Sequence, residues 1–254
     1  MNVLITGAAG GIGSATAEYF LERGHNVHGL DIAPAPAALL NNSALQPQTE
    51  PAASASSIGV AASQSQSNAP ASGTYTHHIA DVRDTRSFPA LAREEMPEIL
   101  INCAGVQDSG HDINVNLKGA INITEHYAIG NDRIRAVINV GSASAHTSSE
   151  FPEYAASKGG FISYTKNVAL RLAPQATCNS IDPGGVLTDL NRCVIEDETL
   201  WNQIMELTPL KRWAEPVEIA EWIYFVGVTN RFMTGQNLLI DGGEAGNMNF
   251  IWPE

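Results

Sequence analysis

Short apolar runs alternate along the chain with longer amphipathic stretches, a pattern that predicts buried strands connected through helices. Val3-Leu4-Ile5 is a continuous apolar triplet, as expected of a strand covered on both faces. Ser14 to Leu21 follows with helical character, Gly24 stops it, and Asn26 to Asp31 reads as the second strand. Thr76 to Ala80 predicts a third strand, Ser87 to Glu95 a short helix with Leu91 inward, and Ile99 to Asn102 a fourth strand. Asp112 to Ile129 reads as a long helix, Ala136 to Val140 as the fifth strand and Tyr154 to Leu172 as another helix. Thr177 to Ile181 and Gln236 to Ile240 supply the sixth and seventh strands. This alternation predicts an α/β fold, a doubly wound parallel sheet with helices on both faces, in a single domain over 1–254. Ligands of such sheets bind outside the carboxyl ends of the strands.

One interval breaks the pattern. From Ala33 to about Thr74 the chain consists mainly of Ala, Ser, Gln, Pro and Asn, with Glu50 as its single charge. Such composition buries too little apolar area to offset the entropy of ordering, so 33–74 is expected to be an irregular insertion. The net charge of −13 disfavours nucleic acids and acidic membrane surfaces as partners. No apolar run reaches the length of a membrane span, and no basic, apolar leader opens the sequence. Cys103, Cys178 and Cys193 lack metal spacing, and free thiols in a reducing cytoplasm are expected. His77-His78 at a strand start is read as incidental, with no metal site.

The first strand runs into Thr6-Gly7-Ala8-Ala9-Gly10-Gly11-Ile12-Gly13, then a helix, then a strand ending on Asp31. Strand, glycine-rich turn, helix, strand and terminal acid make the βαβ unit that seats a dinucleotide. The glycines let the backbone approach a pyrophosphate, and the helix N-terminus offers unpaired N–H groups. A carboxylate at the second strand end accepts hydrogen bonds from a ribose and repels a 2′-phosphate. No lysine or arginine lies between Arg23 and Arg83 to offset that repulsion, so NAD(H) is expected over NADP(H). The other reading of Asp31 is a cap on the turn that follows it.

A second signal lies far along the chain. Tyr154 and Lys158 are four residues apart, which places a phenol and an ammonium on one helix face, and Ser142 precedes them. A cation held beside a phenol favours the phenolate and makes it a usable base near neutrality. A serine hydroxyl nearby stabilises charge on a substrate oxygen.

These residues resemble the short-chain dehydrogenase/reductases over nearly the whole chain. The match rests on the Thr-Gly-x-x-x-Gly-x-Gly turn, Asn102-Cys103-Ala104-Gly105, Asn116, Ser142, Tyr154, Lys158 and Pro183-Gly184, with Thr234-Gly235-Gln236 and Asp241-Gly242-Gly243 toward the end. The glycine spacing is similar to the compact "classical" branch, which has a Rossmann-type sheet. The resemblance implies Tyr154 as general acid/base, Lys158 as the cation that favours its phenolate and binds the nicotinamide ribose, and Ser142 as the group that orients the substrate carbonyl. It implies Asn116 as the holder of a relay water, with Asn114 as a rival. The implied cofactor contacts are Gly7, Gly10, Gly11, Ile12, Gly13, Asp31, Asp81, Val82, Asn102, Ala104, Gly105, Tyr154, Lys158, Pro183, Gly184, Val186 and Thr188, with Asn102 also read as a brace between central strands. Cys103 and Gly141 depart from the family, which more often has asparagine and serine there.

The implied activity is NAD(H)-dependent interconversion of a secondary alcohol and a ketone. Residues 186–210 are expected to form a lid, with Leu187, Leu190, Trp201, Ile204, Met205 and Leu207 as an apolar wall. His146, Glu150 and Phe151 are expected on the opposite side. An apolar wall favours a hydrophobic or cyclic small-molecule substrate, of the cyclic diol or hydroxysteroid type. A 3-oxoacyl thioester reductase and a non-catalytic NAD(H)-sensing protein are the alternatives. The family's habit implies a homo-oligomer, a tetramer or dimer, with Trp252 in a packing tail.

Overall fold

The computed structural model describes residues 1–40, 73–148 and 151–246. Seven strands form one sheet in the order β3-β2-β1-β4-β5-β6-β7, and every neighbouring pair is parallel. The strands are β1 (Asn2–Thr6), β2 (Asn26–Asp31), β3 (Tyr75–Ile79), β4 (Ile99–Asn102), β5 (Ala136–Val140), β6 (Thr177–Pro183) and β7 (Asn237–Ile240). The order reverses direction between β1 and β4, which opens a crevice at their carboxyl ends.

Both faces of the sheet are covered, as the unbroken apolar runs require. Strand side chains alternate between faces. Val3, Ile5, Ile99 and Ile138 join one apolar cluster with Phe20 and Ile223, whereas Leu4, Leu100 and Val137 join a second with Ile123 and Val168. Helix α1 (Gly11–Leu21) buries Thr16, Ala17, Phe20 and Leu21 on one stripe. Helix α2 (Ala37–Leu40) is a single turn that seats Leu39 in the core. It corrects the expectation that 33–74 is irregular throughout: one leucine at a suitable place anchors a turn. Residues 41–72 of that interval lie outside the described residues. Gly73 N–H bonds the Leu21 carbonyl at 3.2 Å, so the returning chain is fixed beside β2.

Two helices differ from expectation. Over 85–95 there are only single turns, Thr85–Ser87 and Arg93–Glu95, because Pro89 between them lacks an N–H donor. Leu91 is partly buried against the second cluster. The long helix begins with wide, π-type turns at Ile113–Gly119 and continues as α3 (Ala120–Tyr127). Helix α4 (Ser144–Thr147) and α5 (Pro152–Leu172) follow β5. After β6 come α6 (Arg192–Ile195), α7 (Glu198–Leu207) and α8 (Pro216–Tyr224), and α8 packs on α1. Among the described residues no helix is long and apolar enough to cross a membrane.

The histidines near β2 and β3 are packed rather than solvated. His28 Nδ1 lies 3.2 Å from His78 Nε2 with the rings stacked, and His25 Nε2 lies 3.4 Å from the Tyr224 hydroxyl. Burial holds all three below the ordinary imidazole value of 6.5. The unfolded chain therefore binds protons more readily than the folded one, and stability is full above pH 6.5 and falls as the pH drops below it. We expect the melting temperature at pH 5.5 to lie below that at pH 7.5, with a smaller drop in His28→Gln. Calorimetry across that window checks it, and an equal drop in the variant would refute the assignment.

Candidate functional site

The crevice at the strand tips has a volume of about 1260 Å³ and is lined from the glycine turn to the lid segment. At one end β1 delivers the turn. Gly7 has φ +69, and a Cβ there would stand 2.7 Å from the Ala104 Cα. A Cβ on Gly13 would overlap the Gly7 carbonyl oxygen, so helix α1 sits tightly on the turn only because this residue is glycine. Gly10 caps α1 without a side chain, and its first turn carries no acid. That leaves an open, positive helix end on the crevice, the chemistry a pyrophosphate needs. Thr6 was not picked out in the sequence, yet its Oγ1 accepts from the N–H groups of Cys103 and Ala104, both at 3.1 Å. It thereby ties the tip of β1 to the Ala104-Gly105 segment.

Asp31 ends β2 and lines the crevice. Its Oδ2 accepts from Ala9 N–H and its Oδ1 from Ala33 N–H, both at 2.9 Å. The capping reading is thus present, and the same carboxylate joins the glycine turn to the segment after β2. Asp81 and Val82 also line the crevice. Asp81 forms a forked pair with Arg83, Nη2 to Oδ2 at 2.7 Å, and this guanidinium holds its carboxyl below the usual range. Asn102 does not line the crevice. Its amide donates to Thr124 Oγ1 and Asn139 Oδ1, both at 2.9 Å, so it braces the sheet against α3 and contacts no ligand space.

The second group meets near the ends of β5 and α5. Lys158 is 5% exposed, donates from Nζ to the Val140 carbonyl at 2.8 Å, and stands 5.7 Å from the centre of the Tyr154 ring. Ser142 follows β5 and accepts from Ser144 N–H at 3.1 Å, which leaves its O–H to donate. Tyr154, Lys158 and Ser142 all line the crevice, as do Ala104, Gly105, Pro183, Gly184, Val186 and Thr188. Thr188 closes on the glycine turn, its Cγ2 2.5 Å from where a Cβ on Gly11 would stand.

Asn116 lies behind this wall, fully buried in the π-type turns. Its Oδ1 accepts from Val106 N–H at 2.8 Å, and its Nδ2 donates to the Val106 carbonyl at 2.9 Å and to Ser157 Oγ at 3.0 Å. Asn116 Oδ1 and Lys158 Nζ lie 3.5 and 3.7 Å from the place a Gly105 Cβ would take. A bare glycine therefore keeps a gap between them.

The departure at Gly141 has a local cause. A side chain there would overlap Asp182 Oδ1. Asp182 is buried at the end of β6 and accepts from His146 Nε2 at 2.7 Å, so His146 is turned inward and does not line the crevice. Burial pushes the Asp182 carboxyl up, and His146 opposes that shift. Of the expected apolar wall, Leu190, Ile204 and Leu207 line the crevice, joined by Leu200 and Val194. Leu187, Trp201 and Met205 do not. Trp201 packs edge-on against Trp213, ring centres 5.2 Å apart. Phe151 lines the opposite side, whereas Glu150 and Trp252 lie outside the described residues. Thr208, Trp213 and Glu244 line the crevice without having been picked out in the sequence.

Comparison with known proteins adds to this geometry. Residues 7–244 match the family model described as enoyl-(acyl carrier protein) reductase. The chain is 27% identical to a 3-oxoacyl-[acyl-carrier-protein] reductase of Staphylococcus epidermidis, over 95% of this chain and 98% of that one. It is 24% identical to human (3R)-3-hydroxyacyl-CoA dehydrogenase, over 94% of each. Among solved structures, 4-hydroxyisoleucine dehydrogenase complexed with NADH superposes with a TM-score of 0.77 at 26% identity, covering 98% of this chain and all of that one.

Proposed function

Because the chain belongs to the short-chain dehydrogenase/reductase family, oxidoreductases that act on CH–OH groups, we propose that it interconverts a secondary alcohol and a ketone with NAD(H). The observation that carries this reading is that the glycine turn, Ser142, Tyr154 and Lys158 open onto one crevice. Gly7, Gly10, Gly11, Ile12 and Gly13 would hold the pyrophosphate, Asp31 the adenosine ribose, Asp81 and Val82 the adenine, and Pro183 to Thr188 the carboxamide. When bound, the dinucleotide supplies the two-electron redox chemistry. The chain's own residues do the rest. Ser142 donates to the substrate oxygen, and Tyr154 removes or returns the proton at that oxygen. Lys158 fixes the charge beside the phenol and binds the nicotinamide ribose. The gap over Gly105, between Lys158 and Asn116, is where a relay water fits. Holding substrate and cofactor in register supplies much of the acceleration.

Residues 186–210 act as the lid in this reading, and its apolar wall favours a hydrophobic or cyclic alcohol. The names of the reductase and dehydrogenase relatives favour a second reading, a 3-oxoacyl thioester substrate. Relative kcat/KM for cyclic secondary alcohols and for a 3-hydroxyacyl thioester, read as NADH formation, separates the two. The first reading requires the cyclic alcohols to be preferred, and preference for the thioester would replace it. Exposed Trp222, Phe225 and Phe232 support a homo-oligomer, with a tetramer as the proposed state. Three free thiols support a cytoplasmic setting.

A further inference from the structure

Glu244 is a carboxylate at the substrate side of the crevice that the mechanism above does not use. Its Oε1 accepts from Thr208 Oγ1 at 2.7 Å and from Trp213 Nε1 at 3.2 Å. Its Oε2 lies 2.9 Å from where a Cβ on Gly184 would stand, and a Cβ on Gly185 would overlap the Trp213 indole. The Gly184-Gly185 pair thus lets both side chains close down beside the proposed carboxamide loop. Among the described residues no lysine or arginine pairs with Glu244, and no donor reaches Oε2. Nor is Oε2 among the buried oxygens that lack a partner, so it is accessible on a residue that lines the crevice. A carboxylate with one oxygen pinned by two donors and the other free is a preorganised acceptor, and little entropy is lost when it binds. The same crevice takes apolar lining from Leu200, Ile204 and Leu207. An anionic group there would meet like charge, whereas a donor would find an acceptor.

We propose that Glu244 is the recognition carboxylate of this crevice. The substrate carries, besides the carbinol carbon that is oxidised, a hydroxyl or ammonium group that donates to Glu244 Oε2. The inference rests on the dehydrogenase reading above and narrows its substrate class to diols and amino alcohols, against hydroxy acids.

A matched set tests it: cyclohexanol, cyclohexane-1,2-diol, 2-aminocyclohexanol and 2-hydroxycyclohexanecarboxylate. In the wild-type enzyme the diol or the amino alcohol should exceed cyclohexanol in kcat/KM by about tenfold, as expected of a hydrogen bond to a charged group. The hydroxy acid should fall below cyclohexanol. In Glu244→Ala the diol and amino-alcohol ratios to cyclohexanol should approach one. In Glu244→Gln the amino alcohol should lose its advantage while the diol keeps part of its own. These ratios do not depend on how much variant folds. Equal kcat/KM across the set in the wild type, or ratios that persist in Glu244→Ala, would overturn the proposal. A binding arm separates it from the reading beneath it: the fluorescence of the NADH-loaded Tyr154→Phe variant, in which reduction is slow, is titrated with cyclohexanone and with 2-hydroxycyclohexanone. Tighter binding of the hydroxyketone without turnover of any alcohol removes the dehydrogenase reading and keeps the role of Glu244. Equal affinity removes that role.

Discussion

Replacing Tyr154 by phenylalanine is expected to lower kcat by between about 10²- and 10⁴-fold, the range that a positioned proton-transfer group contributes. The affinity for NADH should stay within about fivefold of wild type, because one lost neutral hydrogen bond is worth only ~1 kcal/mol. The split follows from the geometry. Lys158 is anchored on the Val140 carbonyl at 2.8 Å and does not depend on the phenol for its place. The phenylalanine ring fits the space of the tyrosine ring, 5.7 Å from that ammonium, so the variant lacks one oxygen and little else. Steady-state rates and an NADH fluorescence titration on the same preparation check both halves. A variant with near-normal turnover would show that another group moves the proton.

The second large effect concerns the cofactor. NAD should be used at least about a hundredfold better than NADP in kcat/KM, because a 2′-phosphate placed against the Asp31 carboxylate costs several kcal/mol. The neighbourhood reinforces this. Arg83 is held by Asp81 through a forked pair and would have to leave that carboxylate to take the phosphate. In Asp31→Asn the charge is gone while the side chain still reaches Ala9 N–H or Ala33 N–H. The preference should then shrink by at least about tenfold, mostly through better use of NADP. Side-by-side kinetics with both cofactors decide it. A wild-type preference for NADPH would remove Asp31 from the role assigned to it.

The strands were legible because a sheet covered on both faces needs unbroken apolar runs, and those runs stand out against polar connections. β2 and β4 have the bounds their residues predict, Asn26–Asp31 and Ile99–Asn102. The segment 87–95 misled because its apolar residues suggest a helical face, while Pro89 denies the backbone a donor. Helix α8 carried its own signals, Pro216 at the first turn and Glu218 accepting from Glu215 N–H at 2.9 Å, but these mark any exposed helix start. The site was legible where one residue type at a fixed spacing does the chemistry, as with Tyr154 and Lys158 or Gly7 and Gly13. Where function arises from pairs distant in sequence, it was not. Gly141 makes sense only beside Asp182, and Glu244 only beside Thr208 and Trp213. Nothing in the linear order announces those meetings. Asn102 had two readings in the sequence, a cofactor contact and a brace between central strands, and its side chain takes the second.

Everything proposed for this chain requires the strand-tip crevice to oxidise an alcohol rather than merely hold a dinucleotide. The most direct measurement is NADH formation by the wild-type protein with NAD across steroids, cyclic diols, polyols and hydroxyacyl thioesters, with NADH binding recorded on the same sample. Binding together with turnover of at least one secondary alcohol is the expected result. Tight NADH binding with no turnover of any of them would contradict it, and would leave a sensor built on the same fold.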